Sequence, residues 1–213
     1  MTRRRSSYRS LASLQRDLAV CRACVEAGYP LESPPVLNPR LGQPAYMYGQ
    51  APGPNEGLER RPWRGRAGQT LRGWLGMDED TFYSTFYCAS VTRCYPGKNP
   101  NGKGDRVPTL KEQQLCEFWR EWELRLFRPR LVVPVGGLAI GRLLGKRSLE
   151  DSVGTRFQLT EDRVAIPLPH PSGVSLWLNS PANRAFVERA VALIHAELAA
   201  IGARPRSSAG PAS

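Results

Sequence analysis

Four of the five cysteines are placed so that they could bind a metal. Cys21 and Cys24 form a C-x2-C pair, Cys94 follows a predicted strand, and Cys116 lies in a predicted helix. Thiolates gathered from distant parts of a chain are typical of a zinc site with four cysteine ligands or of a [4Fe–4S] cluster, because both need convergent soft ligands. The spacing does not separate these two metals. The fifth, Cys88, lies inside an apolar strand, and we interpret it as a small buried residue.

Glycine-rich and polar segments follow each of the predicted strands. The first strand leads into residues 49–57 and 61–68, the second into Ser90 and the residues after it, the third into Gly136–Gly137, and the fourth into the sequence His170-Pro171-Ser172. In an open parallel sheet, ligands bind beyond the carboxyl ends of the strands. We therefore expect one crevice to gather these segments.

The two histidines have different prospects as catalytic groups. His170 stands between two prolines at a strand end, where its backbone is restricted, whereas His195 lies in the middle of a predicted helix and reads as an ordinary structural residue. The segment Gly49–Gly53 is neither a P-loop nor a dinucleotide-binding fingerprint, and a purely structural turn stays open for it on this evidence alone. His170 is the stronger catalytic candidate.

The elements that must position these residues alternate between short apolar runs and helical patterns. The runs have little polar alternation, as expected of strands that are covered on both faces. The predicted strands are Ala45–Tyr48, Thr85–Thr92, Leu131–Val135 and Val164–Leu168. The predicted helices are Ala67–Leu75, Leu110–Leu126, Leu138–Leu144 and Pro181–Ile201, the last with Asn179 or Ser180 as its N-cap.

This alternation predicts an α/β fold with three layers, in which a four-stranded parallel central sheet is flanked by helices. The folded domain is expected to span residues 11–202. Residues 1–10 are polar and basic, and residues 203–213 are rich in helix breakers, so we predict two disordered tails.

The chain carries a large positive charge, since 30 Lys and Arg against 19 Asp and Glu give +11 and a pI near 10.0. Such an excess favours polyanionic partners. With 41% hydrophobic residues in 213, the chain can bury a core, which excludes a wholly disordered protein. No apolar run approaches the roughly 18–20 residues of a membrane-spanning helix. We expect a soluble cytoplasmic protein, without a membrane partner or a disulfide framework.

Taken together, these motifs resemble the uracil-DNA glycosylase superfamily, in particular its iron–sulfur families 4 and 5. The resemblance covers about residues 11–200, and the order and spacing of the motifs make it specific. The matching motifs are Cys21-x2-Cys24, the loop Gly49–Gly53, the segment Arg61–Gln69, the turn Arg93-Cys94-Tyr95-Pro96, Cys116, and His170-Pro171-Ser172.

The resemblance implies a monomeric, nucleoid-associated DNA repair glycosylase that removes uracil, and other deaminated bases, from DNA. It also implies that the four cysteines Cys21, Cys24, Cys94 and Cys116 hold a [4Fe–4S] cluster rather than zinc. Such enzymes flip a damaged base out of the duplex and need a stacking face, an edge reader, a stabiliser of the departing base and a placed water.

Residues of this chain match each of those parts. Trp63 would stack on the base, and His170 would donate to the uracil carbonyl on which charge develops. The base-binding loops would be completed by Gly49, Ala51, Gly53 and Ser90. The predicted DNA contacts are Arg64, Arg66, Arg93, Lys98, Lys103 and Ser172.

The chain departs from family 4 at two positions. Gln50 stands where that family has glutamate, and an amide can orient a water but cannot accept its proton. Glu56 is the fallback base. Ser90 stands where that family has asparagine, so one hydroxyl reads the base edge. The loop Pro96–Pro108 lacks a histidine, which argues against the branch that traps DNA covalently through such a residue.

Two other functions remain open at this point. The changes at Gln50 and Ser90 allow a catalytically weak or inactive iron–sulfur protein that binds DNA. A zinc-bearing nucleic-acid module, in which the Gly49–Gly53 loop is only structural, is the more distant alternative.

Overall fold

A five-stranded sheet forms the centre of the computed structural model, which describes residues 4–102, 104–172 and 176–202. Its strands run in the order β2-β1-β3-β5-β4. Four of them, β2, β1, β3 and β5, are parallel. The strands are β1 Ala45–Gly49, β2 Phe86–Ser90, β3 Leu131–Pro134, β4 Phe157–Thr160 and β5 Arg163–Ala165.

Helices cover both faces of this sheet, so the predicted three-layer α/β class is confirmed. The helices are α1 Leu11–Ala19, α2 Ala23–Glu26, α3 Pro54–Glu59, α4 Arg66–Leu75, α5 Glu79–Thr85, α6 Leu110–Phe127, α7 Gly137–Leu144 and α8 Pro181–Ala200, with a 3-10 turn at Leu176–Asn179.

The strand count of four needs a correction. The additional strand, β4, pairs antiparallel with β5 at the edge of the sheet. Its side chains alternate between half-buried and exposed, so it lacks the continuous apolar run by which the other strands were predicted. The apolar runs of the sequence therefore predicted the parallel strands, whereas the edge strand β4 has no such run and was not predicted.

Alternation along β1 shows how the two faces of the sheet are filled. Ala45 and Met47 point into a core with residues of α4, α5 and α8. Tyr46 and Tyr48 point to the opposite face. All of these side chains are buried, as expected for a parallel strand between two helical layers.

A capping box fixes the start of α6, the long helix that carries Cys116. The Thr109 hydroxyl accepts from the Glu112 N–H at 3.3 Å, and the Glu112 carboxylate accepts from the Thr109 N–H at 2.8 Å. Further along, Trp119 packs between α6 and α1 with Leu14. The helix that holds this cysteine is thus defined at its first turn and anchored in the core.

The predicted domain boundaries stay predictions. Residues 4–10 contact the body, because Tyr8 is buried and Arg5 pairs with Asp17 at 2.7 Å. Residues 203–213, the predicted C-terminal tail, lie outside the described residues. Among the described helices, none is both long and apolar enough to cross a membrane.

Candidate active site

A crevice of about 580 Å³ opens at the carboxyl ends of the parallel strands. This is the edge at which the sequence predicted a site, and the volume falls within the range of ligand pockets. The predicted site residues that line it are Gly49, Gln50, Ala51, Gly53, Glu56, Trp63, Arg66, Ser90, His170 and Ser172. The structure therefore brings together all of the predicted catalytic and base-binding residues.

The hydrogen bonds of His170 define its tautomer. The backbone N–H of Ser172 points at His170 Nδ1 at 3.3 Å, and the Ser172 hydroxyl lies 2.9 Å from the same atom. Because a backbone N–H can only donate, Nδ1 is the acceptor and the ring proton is on Nε2. Burial lowers the pKa of His170 below its usual value, and nearby Glu56 opposes this shift. His170 is thus a neutral donor at neutral pH.

Gly136, which follows β3, leaves room for the side chain of His170. A Cβ atom at Gly136 would lie 3.3 Å from the Cβ of His170, and the Gly136 φ of +86° is a left-handed conformation that favours glycine. The bridge between Val135 and Leu168 aligns the two strand ends. The imidazole therefore packs over bare backbone at the floor of the crevice.

Trp63 forms the wall opposite this floor. Its ring centroid lies 6.5 Å from that of His170, and its Cζ2 lies 3.0 Å from where a Cβ atom on Gly49 would stand. Trp63 has a φ of +60°, which is strained for a bulky residue, and Arg72 holds its carbonyl at 3.0 Å. Strained backbone that the surroundings enforce is concentrated at functional sites.

Glu56 joins two loops at the rim. One of its carboxylate oxygens accepts from the Gly53 N–H at 3.1 Å, and the other accepts from the Gly65 N–H at 2.8 Å. This arrangement holds the loop after β1 against the start of α4. It also occupies both carboxylate oxygens of the predicted fallback base and the amide of Gly53.

Gln50 and Ser90 mark the ends of the neighbouring strands β1 and β2. The Ser90 hydroxyl donates to the Thr92 carbonyl at 2.7 Å, so only its lone pairs are available to a ligand. The backbone carbonyl of Gln50 accepts from the Thr92 N–H at 3.2 Å. The side-chain amide of Gln50 forms no hydrogen bond with any described residue. Ser90 therefore acts as an acceptor, while Gln50 is available for a ligand or a water.

The predicted DNA-contacting cations have different surroundings. Arg66 is exposed at the rim, whereas Arg64 is paired with Glu59 and Glu79. Lys98 is 62% exposed and lies 3.0 Å from a carboxylate oxygen of Asp105. The remaining predicted lysine, at position 103, lies outside the described residues.

Arg93 does not have the environment that its predicted role requires. Its side chain is only 3% exposed, and its guanidinium pairs with the equally buried carboxylate of Glu123. The hydroxyls of Tyr46 and Tyr87 donate to the same carboxylate at 2.7 and 2.9 Å. A DNA phosphate cannot reach this group, so the prediction that Arg93 contacts DNA is corrected to a structural role.

The four predicted metal ligands line one small cavity between α1, α2 and α6, which we call the cysteine cavity. Its other walls are mostly apolar. The Trp119 indole N–H donates to Cys21 Sγ at 3.3 Å. The described residues contain no group of three or more His, Cys, Asp or Glu side chains that could hold a metal ion. The cysteines at the cavity are Cys21, Cys24, Cys94 and Cys116.

Burial is the main cause of the high thiol pKa values in this cavity. It raises the pKa of Cys24 to about 11 and that of Cys116 to about 12, and it raises that of Cys94 as well. These three thiols therefore carry no charge of their own at neutral pH, and a bound metal would have to displace their protons. The donor set, four soft sulfurs with apolar surroundings, fits an iron–sulfur cluster. Cys88 lies apart from it, in the core and at the crevice floor.

One acidic residue at the crevice was missed by the sequence analysis. Asp105 belongs to the loop Pro96–Pro108 and lines the crevice together with Gln50 and His170. The available signal was a lone carboxylate in a loop that follows a strand end, which is weak unless the path of the loop is known.

Comparison with known proteins identifies the group to which this arrangement is similar. A family model described as the uracil DNA glycosylase superfamily matches residues 38–197. A Thermotoga maritima protein named type-4 uracil-DNA glycosylase is 29% identical over 126 residues, which cover 58% of this chain and 62% of that protein. A protein of the same name from Archaeoglobus fulgidus is 28% identical over 152 residues, which cover 70% of this chain and 71% of that protein.

Proposed function

The chain belongs to the uracil DNA glycosylase superfamily, and we propose that it is a base-excision repair enzyme that flips uracil out of DNA and hydrolyses its N-glycosidic bond. The observation that carries this proposal is the crevice, where a stacking face, an acceptor and a neutral donor converge in Trp63, Ser90 and His170. The type-4 names of the relatives support it.

Base recognition follows from the hydrogen-bonding capacity of these groups. Uracil presents an N3–H donor between two carbonyl acceptors. Ser90, whose proton is committed to Thr92, accepts from N3–H, while the indole of Trp63 covers one face of the ring. Stacking of this kind contributes on the order of 1–3 kcal/mol.

His170 stabilises the departing base. As the N-glycosidic bond breaks, its electron pair moves onto the uracil ring and negative charge develops on the carbonyl oxygens. The Nε2–H of His170 donates to one of these carbonyl oxygens. The backbone N–H of Ser172 keeps the imidazole ring in the required tautomer. A donor that is already oriented lowers the barrier without reorganisation.

The contacts to DNA are expected at the rim of the crevice. Arg66 is an exposed cation that lines the crevice, and Lys98 is exposed and pairs with the lining residue Asp105. The proposed set also includes Lys103, Arg64 and Ser172. Phosphate contacts of this kind give affinity that falls with salt and does not depend on sequence. The backbone N–H of Ala51 provides a further hydrogen-bond donor for the base. We propose that the same groups also bind other deaminated bases. The enzyme would act as a monomer in the cytoplasm, on the nucleoid.

The cysteine cavity is the proposed site of a [4Fe–4S] cluster. Cys21, Cys24, Cys94 and Cys116 would hold it, because their four soft sulfurs line one mostly apolar cavity. When bound, it would cross-link the N-terminal helices to α6. The purified protein should be brown and contain iron; a colourless protein with stoichiometric zinc would contradict the proposal.

An oligonucleotide assay tests the catalytic proposal. The protein is incubated with single- and double-stranded DNA that contains one uracil, and abasic sites are then cleaved with alkali. We expect cleavage at the uracil and none in a matched thymine strand. If the iron-containing protein binds DNA but leaves uracil, hypoxanthine and xanthine strands intact, the protein is a binding module and not a glycosylase.

A further inference from the structure

The crevice needs a proton acceptor that the residue at position 50 does not provide. Gln50 is an amide, so it can orient an attacking water but cannot take its proton. Of the described residues that line the crevice, Glu56 and Asp105 are the two that carry carboxylates. Both oxygens of Glu56 already accept backbone N–H groups, those of Gly53 and Gly65. Glu56 therefore holds the loops together, and Asp105 is the other carboxylate that could accept the proton.

Asp105 presents one engaged oxygen and one open oxygen. Its Oδ1 accepts from the Tyr95 hydroxyl and from Lys98 Nζ, each at 3.0 Å. Its Oδ2 lies 3.6 Å from the position that a Cβ atom on Gly53 would occupy, so it faces the loop that follows β1. Among the described residues, none donates a hydrogen bond to Oδ2. The carboxylate is thus held by one oxygen and available through the other.

The loop that carries Asp105 is built like a hairpin, which keeps this orientation. Lys98 and Asp105 form an antiparallel bridge, and the Arg106 N–H donates to the Gly97 carbonyl at 2.8 Å. The Arg106 guanidinium makes two hydrogen bonds to the Glu112 carboxylate, at 2.7 and 2.8 Å. Asp105 is therefore adjacent to a residue that is anchored to the first turn of α6, and its place in the crevice is supported from the helix.

We propose that Asp105 is the general base of the reaction, an inference that rests on the proposed glycosylase function. The water oxygen forms a bond to C1′ of the deoxyribose while the N-glycosidic bond breaks. The electron pair of that bond leaves with the uracil, whose carbonyl oxygen is held by His170. The proton of the water moves to Asp105 Oδ2. Gln50 orients the water between these groups.

The first test replaces the carboxylate with its isosteric amide. Asp105→Asn keeps an oxygen that can accept from Tyr95, but it cannot take a proton. We expect the maximal single-turnover rate of uracil release to fall by about 10²-fold, the lower end of the range for general base catalysis, while the DNA concentration that gives half of this rate stays the same. The matched control is Asp80→Asn, which should cleave at the parent rate, because the Asp80 carboxylate is 89% exposed and pairs with Arg40.

The second test restores a carboxylate elsewhere in the crevice. Gln50→Glu is added to Asp105→Asn, and we expect it to recover at least tenfold of the lost rate. Circular dichroism melting of each variant defines a temperature at which all are folded for the rate measurements. Asp105→Asn at the parent rate, or a double variant no faster than Asp105→Asn, would overturn the assignment. A parent protein that releases no uracil would instead overturn the proposed function.

Discussion

The polar groups of the crevice differ in their hydrogen bonding from those beside the cysteine cavity, a region that we call the cysteine side and that includes Arg93 and Glu123. At the crevice, Gln50 and Asp105 retain hydrogen-bonding capacity that the described protein atoms do not satisfy. On the cysteine side, Arg93 and Glu123 are buried and paired with each other, and the Tyr46 hydroxyl donates to the Glu123 carboxylate. A polar group that is available and held in place can act on a ligand, whereas a polar group that is buried and paired contributes to the fold. Substitutions in the two regions should therefore affect different measurements.

The largest effect is expected on the cysteine side. Glu123→Ala leaves the Arg93 guanidinium buried without its carboxylate, which should lower the free energy of unfolding by about 3–5 kcal/mol. Urea denaturation measures the change, and Glu121→Ala, an exposed glutamate on the same helix, is the control and should stay within about 0.5 kcal/mol of the parent. A cost for Glu123→Ala no larger than that of the control would contradict the structural role of the pair.

His170→Ala should have the largest effect on catalysis. It removes one oriented donor to the departing base, so single-turnover uracil release should slow by roughly 10²–10³-fold, while affinity for undamaged DNA and iron content stay unchanged. The control is the second histidine, because His195 lies in α8 and contacts the Leu75 carbonyl at 3.0 Å. His195→Ala should release uracil at the parent rate, and a His170→Ala protein that does the same would show that the histidine loop is wrongly assigned.

A smaller catalytic effect is expected at Gln50. Gln50→Ala removes a group that only places a water, so the rate should fall about tenfold. Gln50→Glu adds a proton acceptor at the same position and should speed uracil release. Rates are compared under single-turnover conditions. Gln50→Ala at the parent rate would contradict the role of Gln50 in placing the water.

The smallest effect separates the fifth cysteine from the other four. Cys88→Ala should leave the iron content unchanged, because Cys88 lies in the core and outside the cysteine cavity. Cys116→Ala should lose iron and melt at a lower temperature. Elemental analysis and thermal melting check both variants, and loss of iron from Cys88→Ala would mean that the ligand set is wrong.

The parallel strands and the long helices could be predicted because their apolar patterns are local. The predicted strand at Leu131 and the helix from Leu110 have close counterparts in β3 and α6. The edge strand β4 was missed because Phe157 and the residues after it alternate between half-buried and exposed positions. A strand of this kind is defined by its partner, β5, and not by its own composition.

The site was predictable where a strand end carries the side chain, as for His170 and Ser90. It was not predictable where the path of a long loop decides, as for Asp105, which a hairpin brings to the crevice. Arg93 is the opposite error, because an arginine beside predicted DNA contacts is a natural phosphate ligand until its burial against Glu123 is known. The path of a loop and the burial of a side chain depend on packing between residues that are far apart in the sequence. Local sequence patterns do not predict such packing.

Direct detection of free uracil tests the central claim most closely. The protein is incubated with duplex DNA that contains one uracil. The released products are separated by chromatography and identified by mass spectrometry. We expect one free uracil base for each intact strand that gains an abasic site. Release of a uracil nucleotide, or of no product from the iron-containing protein, would contradict the claim that the crevice at His170 hydrolyses the N-glycosidic bond.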